Sequence, residues 1–508
     1  MSKPKSVLLI TSDQQHWTTL GSINPKIETP ALDRLAREGT RYDRAYVPSP
    51  VCTPTRASIL TGQYPSWHGA WTIGVKLGED VPTVGEVFSR AGYSTSLVGK
   101  AHFQPLASLP EQASLEAQPT LKDLDFWENF TGPWYGFDHI EIARNHADES
   151  HVGQHYAIWM RDKGLPDYEK YFVSLENQYA PDHTYKPHQH RWDLPEEFHY
   201  TTWTGERAIA AIERDVADDT PFFIWSSFHD PHPPYLVPEP WASMYDPDDM
   251  EPGALDPGEL EHMVTWTRMT QEESPDYSHL TESGFGNHGF HSHLHDTGQL
   301  KKDMAIYYGM ISFMDHQIGL ILEALDRLGI ADDTVVVFTS DHGHYLGQHG
   351  LTAKGPFHYE DAIRVPFLVR YPGQANPGGA SNAIQSIVDL PQTFLDIAGI
   401  PIPGQMQGIS QKDVWLGKQE SARSWAICEN RHQPSAVHLR TFVNQRYKMT
   451  VYRGLDEGEL YDLQDDPGER RNRWADPDFT DVKLEVYADW MQAELEREPT
   501  RFARIAGA

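Results

Sequence analysis

Val7-Leu-Leu-Ile10-Thr-Ser-Asp13-Gln14 is the stretch that decides the fold. Four uninterrupted apolar residues read as a strand buried on both faces, and the polar turn after them marks its carboxyl end. The pattern recurs: residues 221–227 (PFFIWSS) run into His229, Asp230, Pro231 and His232, and Thr334–Ser340 (TVVVFTS) runs into Asp341-His342. Helical patterns lie between. Thr29-Pro30 predicts an N-cap with proline in the first turn, Leu32, Leu35 and Ala36 carry helical spacing, and Gly39 supplies the stop. Residues 84–91 predict a helix before a strand at 93–98, and 304–328 a long helix before TVVVFTS. Strands alternating with amphipathic helices predict an α/β fold, a large mixed sheet sandwiched by helices.

Ligands of such sheets bind beyond the carboxyl ends of the strands. Three strand ends carrying acid–base or metal-binding residues therefore predict an active site. Near residue 420 the pattern changes to short strands at 425–429, 436–443, 446–452 and 459–463, then a helix at 481–496. That predicts a catalytic domain over 1–418 and a small C-terminal antiparallel sheet with one helix over 419–508. Residues 104–201 and 246–298, rich in Pro, Asp, His and aromatics, read as insertions around a pocket mouth rather than framework.

With 508 residues, 39% of them hydrophobic, the chain can bury a large core, which excludes a disulfide-stapled miniprotein or a disordered tail. Two cysteines make no disulfide framework. A formal charge of −31 argues against nucleic acid and anionic membrane surfaces as partners, and it requires a local basic pocket for any anionic substrate. The N-terminal apolar run is too short for a secretory signal, and no run approaches a membrane span, so a cytoplasmic protein is expected.

The most specific segment is Val51-Cys52-Thr-Pro54-Thr-Arg56-Ala-Ser-Ile-Leu-Thr61-Gly62, with Gly92-Tyr-Ser-Thr-Ser-Leu-Val-Gly99-Lys100-Ala-His102-Phe downstream. Together they resemble the two signatures of the type I, formylglycine-dependent sulfatases of the alkaline phosphatase superfamily. The likeness continues through Pro231-His232, Ser340-Asp341-His342-Gly343, Lys354 and Tyr359-Glu360 to Glu459-Leu-Tyr-Asp462 and Asp466-Pro-Gly-Glu469. It implies an alkaline phosphatase-like fold and hydrolysis of a small-molecule sulfate ester. It also implies that a formylglycine-generating or anaerobic maturing enzyme oxidises Cys52 to formylglycine, whose hydrate attacks sulfur and later expels sulfate.

The resemblance further implies one divalent metal held by Asp13, Gln14, Asp341, His342 and residue 52. Many sulfatases have Asp where Gln14 stands and Asn where His342 stands. Oxygen ligands suit Ca²⁺, Mg²⁺ or Mn²⁺, and one imidazole pulls the choice toward Mn²⁺. By the same resemblance Arg56 and Lys100 hold the formylglycine oxygens, and His102 is the base of the second half-reaction. His232 and Lys354 face the ester oxygen and assist the leaving alcohol. Phosphonate monoester and phosphodiester hydrolases share this fold and metal set. They typically replace Lys-x-His with hydroxyl-bearing residues, so intact Lys100 and His102 favour sulfate, with side activity on phosphate diesters or phosphonates. A noncatalytic binding protein on the same fold would have lost part of the machinery, and none is missing.

Three expectations concern residues outside the motifs. His288, His291, His293 and His295 form a dense run that reads as a pocket wall or subunit contact rather than a zinc site, since no cysteine accompanies it. His229, His344 and His358 stand beside motif residues as candidate pocket lining. Trp127, Trp134, Tyr135 and Trp159 either line an apolar or cation-binding wall or pack on one another. Long insertions make a homo-oligomer a reasonable expectation.

Overall fold

The computed structural model describes residues 6–144, 147–148, 150–172, 190–282, 289–290, 292, 296–431, 435–500 and 504–505. The main sheet is built from β1 (Ser6–Ser12), β2 (Thr40–Tyr42), β3 (Ser94–Gly99), β4 (His139–Ile142), β5 (Phe222–Ser227), β6 (Thr334–Ser340), β7 (Phe367–Arg370) and β8 (Gly379–Ser381). Their order across the sheet is β8-β2-β7-β6-β1-β5-β3-β4. The block from β6 to β4 is parallel, while β7 runs antiparallel to both β6 and β2. The sheet is therefore mixed, with its apolar runs at the centre, where both faces are covered.

Alternating side chains of β1 serve two cores. Leu8 and Ile10 pack with helices α1 (Pro30–Glu38), α4 (Tyr200–Ala217) and α5 (Thr297–Arg327). Val7 and Leu9 belong to the opposite core with α2 (Cys52–Thr61), α3 (Val84–Arg90) and α6 (Leu390–Ala398). Thr29 occupies the N-cap position of α1 but its hydroxyl does not cap the helix. Instead Asp315, buried in α5, accepts from the Ala31 and Leu32 amides at 2.9 and 2.7 Å, and burial pushes its carboxyl up to about 7.

One expectation fails here. The 104–201 stretch is not purely an insertion: it carries β4, an edge strand of the main sheet. His139 and Glu141 alternate with the buried Ile140 and Ile142, so the strand is half covered and lacks the continuous apolar signal of the central strands. The aromatics of that stretch pack on one another, Trp134 on Tyr135 and Phe103, and Trp159 on Tyr156. The four-histidine run at 288–295 lies outside the described residues.

After α6, strands β9 (Trp425–Asn430), β10 (Leu439–Asn444), β11 (Tyr447–Tyr452) and β12 (Gly458–Asp462) form an antiparallel meander, followed by α7 (Thr480–Glu496). The meander is tied to the main body by several hydrogen bonds, two of them near the site. The Glu429 amide donates to the Pro48 carbonyl at 2.8 Å, and Asn430 Nδ2 to the Pro356 carbonyl at 3.0 Å. Among the described residues no helix is long and apolar enough to cross a membrane.

Candidate active site

The carboxyl ends of β1, β3, β5 and β6 converge, and α2 points its first residue at the same place. Cys52 opens that helix and is fully buried. Its Sγ stands 3.1 Å from His342 Nε2, 3.1 Å from Lys354 Nζ, 3.6 Å from Asp13 Oδ1 and 3.9 Å from Lys100 Nζ. Burial and Asp13 raise the thiol's pKa, but Lys100, Lys354 and His342 outweigh them and hold it below the ordinary value.

Ligand-type atoms of Asp13, Cys52, Asp341 and His342 all lie within 4.8 Å of one another. Gln14 adds a separate observation. Among the described residues its buried Oε1 has no hydrogen-bond partner, a condition that a cation would relieve. Its Nε2 donates to His344 Nδ1 at 2.8 Å, and His344 Nε2 in turn meets the Tyr235 hydroxyl at 2.9 Å. The Gln14 backbone sits in the left-handed region at φ 66°, anchored by its amide to Asp341 Oδ1 at 3.0 Å. These residues fit a divalent metal with mixed oxygen and nitrogen ligands.

Arg56 lies one turn along α2 from Cys52, which brings both to one face. It is fully buried, with Nε 2.7 Å from Asp341 Oδ2 and Nη1 bonded to Ser227 Oγ and the Lys100 carbonyl. Lys100 Nζ bonds Asp13 Oδ2. Lys354 Nζ bridges Cys52 and His232, standing 3.0 Å from His232 Nε2. His232 Nδ1 meets the Pro233 carbonyl, so its Nε2 faces Lys354 as an acceptor. Burial and then Lys354 push the His232 imidazole well below its usual range.

His102 stands apart from this cluster, absent from the hydrogen-bond partners of Cys52. Its backbone is left-handed at φ 61°, and a buried carboxylate, Glu116, accepts the amides of His102, Phe103 and Gln104 at 2.8 Å each. Arg144 Nη2 donates to His102 Nε2 at 2.9 Å, which puts the ring proton on Nδ1. Burial, then Arg144 and Lys100, hold this imidazole neutral, well below its ordinary pKa.

The structure thus brings Asp13, Gln14, Cys52, Arg56, Lys100, His232, Asp341, His342 and Lys354 together, with His102 at one side. Of the flanking histidines, His344 braces Gln14. His229 Nε2 meets the Ala143 carbonyl, and His358 bonds Thr441 of the C-terminal sheet. Sequence reasoning missed Glu116 and Arg144. Neither stands in a motif, and only the turn at 102–104 and the edge strand β4 bring them to the site.

Comparison with known proteins gives a consistent answer. The sulfatase family model matches residues 5–400, and the model described as N-sulphoglucosamine sulphohydrolase, C-terminal, matches 347–496. An arylsulfatase of Clostridium perfringens is 30% identical over 92% of this chain and 89% of its own length. An N-acetylglucosamine-6-O-sulfatase of Bacteroides thetaiotaomicron is 26% identical, covering 95% of this chain and 85% of that protein. Among solved structures, the phosphonate monoester hydrolase of Agrobacterium radiobacter superposes with a TM-score of 0.76 at 25% identity, covering 97% of this chain and 96% of that one.

Proposed function

The chain belongs to the sulfatase family and is a sulfatase, and from that premise we propose that it cleaves sulfate monoesters with a nucleophile matured from Cys52. One observation carries the reading. Cys52 heads α2 inside a ring of two carboxylates, one imidazole and two ammonium groups, a surrounding with no use for an ordinary buried thiol.

Asp13, Gln14, Asp341 and His342, with residue 52, would hold one divalent ion, Mn²⁺ or Ca²⁺. The ion would supply Lewis acidity to the sulfuryl oxygens, and formylglycine at position 52 a hydrated aldehyde as nucleophile. The protein's own residues supply the rest. Arg56 fixes Asp341 through Nε and brings positive charge into a dry pocket. Lys100 and Lys354 offset the sulfate charge on a chain that is otherwise strongly acidic. Lys354 carries the proton for the departing alcohol oxygen, and His232, accepting from it, aims that ammonium. His102 is the proposed base of the second half-reaction, and its Nε2 has to leave Arg144 before it can take a proton.

The proposed division into a catalytic unit over 1–418 and a C-terminal unit over 419–508 follows the change from the mixed sheet to the meander. Activity on phosphonate monoesters or phosphate diesters is the second reading, favoured by likeness to the Agrobacterium hydrolase. Two measurements decide. Mass spectrometry of the peptide containing Cys52, from active protein made with the maturing enzyme, should show formylglycine; full activity with unmodified cysteine would reject the nucleophile. Parallel kcat/KM values for a sulfate monoester, a phosphonate monoester and a phosphate diester should rank sulfate first, and a phosphonate or diester in first place would make that the native class.

A further inference from the structure

Arg144 follows β4 at the edge of the site and is 4% exposed. Among the described residues only its Nη2 is engaged, on His102 Nε2; Nε and Nη1 are buried with no hydrogen-bond partner there. A guanidinium carries five donors in a rigid fork and keeps its charge in proteins. Leaving three N–H bonds unmet in a dry environment is costly, and such groups are rare without a ligand to meet them. Glu116, whose oxygens accept the backbone amides of 102–104, acts on the Arg144 charge, but no hydrogen bond joins the two among the described residues.

The position of the fork fixes what it meets. Arg144 reaches the His102 ring and is not among the partners of Cys52, which are Asp13, Lys100, His342 and Lys354. Arg144 thus stands one contact out from that inner set, through His102, while still within electrostatic range of Cys52 and Asp13. We propose that Arg144 is a specificity-determining residue that binds a second anionic group, a carboxylate or a further sulfate, on the alcohol portion of the sulfate ester. With one Nη2–H on His102, the second Nη2–H stays parallel to either Nε–H or Nη1–H, the paired geometry that planar oxyanions prefer. This inference rests on the sulfatase reading and narrows its substrate class to polyanionic sulfate esters.

The test uses full-length, matured protein and two pairs of probes. Phenyl sulfate and 3-carboxyphenyl sulfate report turnover; benzenesulfonate and 3-sulfobenzoate, which are not hydrolysed, report binding by calorimetry. Wild-type protein should bind 3-sulfobenzoate about tenfold or more tightly than benzenesulfonate and prefer the carboxylated ester by a similar ratio in kcat/KM. In Arg144→Met both ratios should fall toward one, whatever the substitution does to phenyl sulfate itself through His102. Equal affinity for the two sulfonates in the wild-type protein would overturn the inference even if the variant fails to fold. So would ratios that survive in a folded Arg144→Met. Failure to hydrolyse either ester, with the sulfonate preference intact, would count against the sulfatase reading and leave the role of Arg144 in place.

Discussion

At the scale of single residues, Gln14 shows how a departure from the common pattern becomes intelligible. Its amide nitrogen is committed to His344, so its oxygen is the atom turned to the ligand set, and Tyr235 keeps His344 in the matching tautomer. Losing an outer partner of this kind weakens metal binding roughly 10–100-fold, which is the expected cost of His344→Leu; Gln14→Ala should cost more. Equilibrium dialysis with Mn²⁺ reads this without reference to turnover, and unchanged affinity in Gln14→Ala would remove it from the ligand set. Lys354 is the second case. If its ammonium protonates the leaving oxygen, Lys354→Met should slow poor leaving groups most, so that log kcat/KM falls more steeply with alcohol pKa across a series of aryl sulfates. A slope equal to wild type would assign the proton elsewhere. All ten proposed site residues were legible in the sequence because their chemistry sits in short, ordered motifs. Arg144 and Glu116 were not, since an isolated Arg or Glu carries no signal until a turn and an edge strand bring it to the pocket.

Among elements, the turn after β3 does most to shape the site. Gly99 at φ 104° lies so close to β5 that a Cβ there would come within 1.9 Å of the Ser227 carbonyl oxygen, so only glycine permits the approach. Three residues later His102 takes a left-handed backbone that Glu116 holds by three amides. Glu116→Gln offers an N–H₂ where an acceptor was, leaving at least one amide unmet. We expect a loss of about 1–3 kcal/mol in urea unfolding, with a larger proportional loss of kcat/KM. A wild-type midpoint and activity would mean that the turn holds itself. The central strands and α1, α3 and α5 were readable from apolar runs and helical spacing. The strand at 139–142 was not, because a half-covered edge strand alternates and resembles loop in a polar stretch. Thr29 stands at the N-cap of α1, as the sequence predicts, but the acceptor for the first α1 amides is Asp315, nearly three hundred residues away in sequence.

Over the whole molecule, the C-terminal meander was recognisable as four short strands and a helix, while its manner of attachment was not. Glu429 accepts from the Ser66 amide and hydroxyl at 2.9 Å each and from Arg497 Nη1 at 2.7 Å, tying β9 and the residue after α7 to the segment beyond α2. Breaking a buried pair of this kind costs roughly 3–5 kcal/mol, so Glu429→Ala should lower unfolding stability by that order in denaturant titration. A change below about 1 kcal/mol would show the attachment to be carried by the apolar contacts alone. Two further contacts, Glu429 on Pro48 and Asn430 on Pro356, reach the segments just before Cys52 and just after Lys354. Their consequence lies in time. At the ribosome's pace of 5–20 residues per second, roughly 20–75 s pass between the synthesis of residue 52 and that of residue 430. Through that interval the contacts from residues 429 and 430 cannot form. Cys52 is sealed from solvent in the finished fold, so the oxidation proposed for it has to precede that burial.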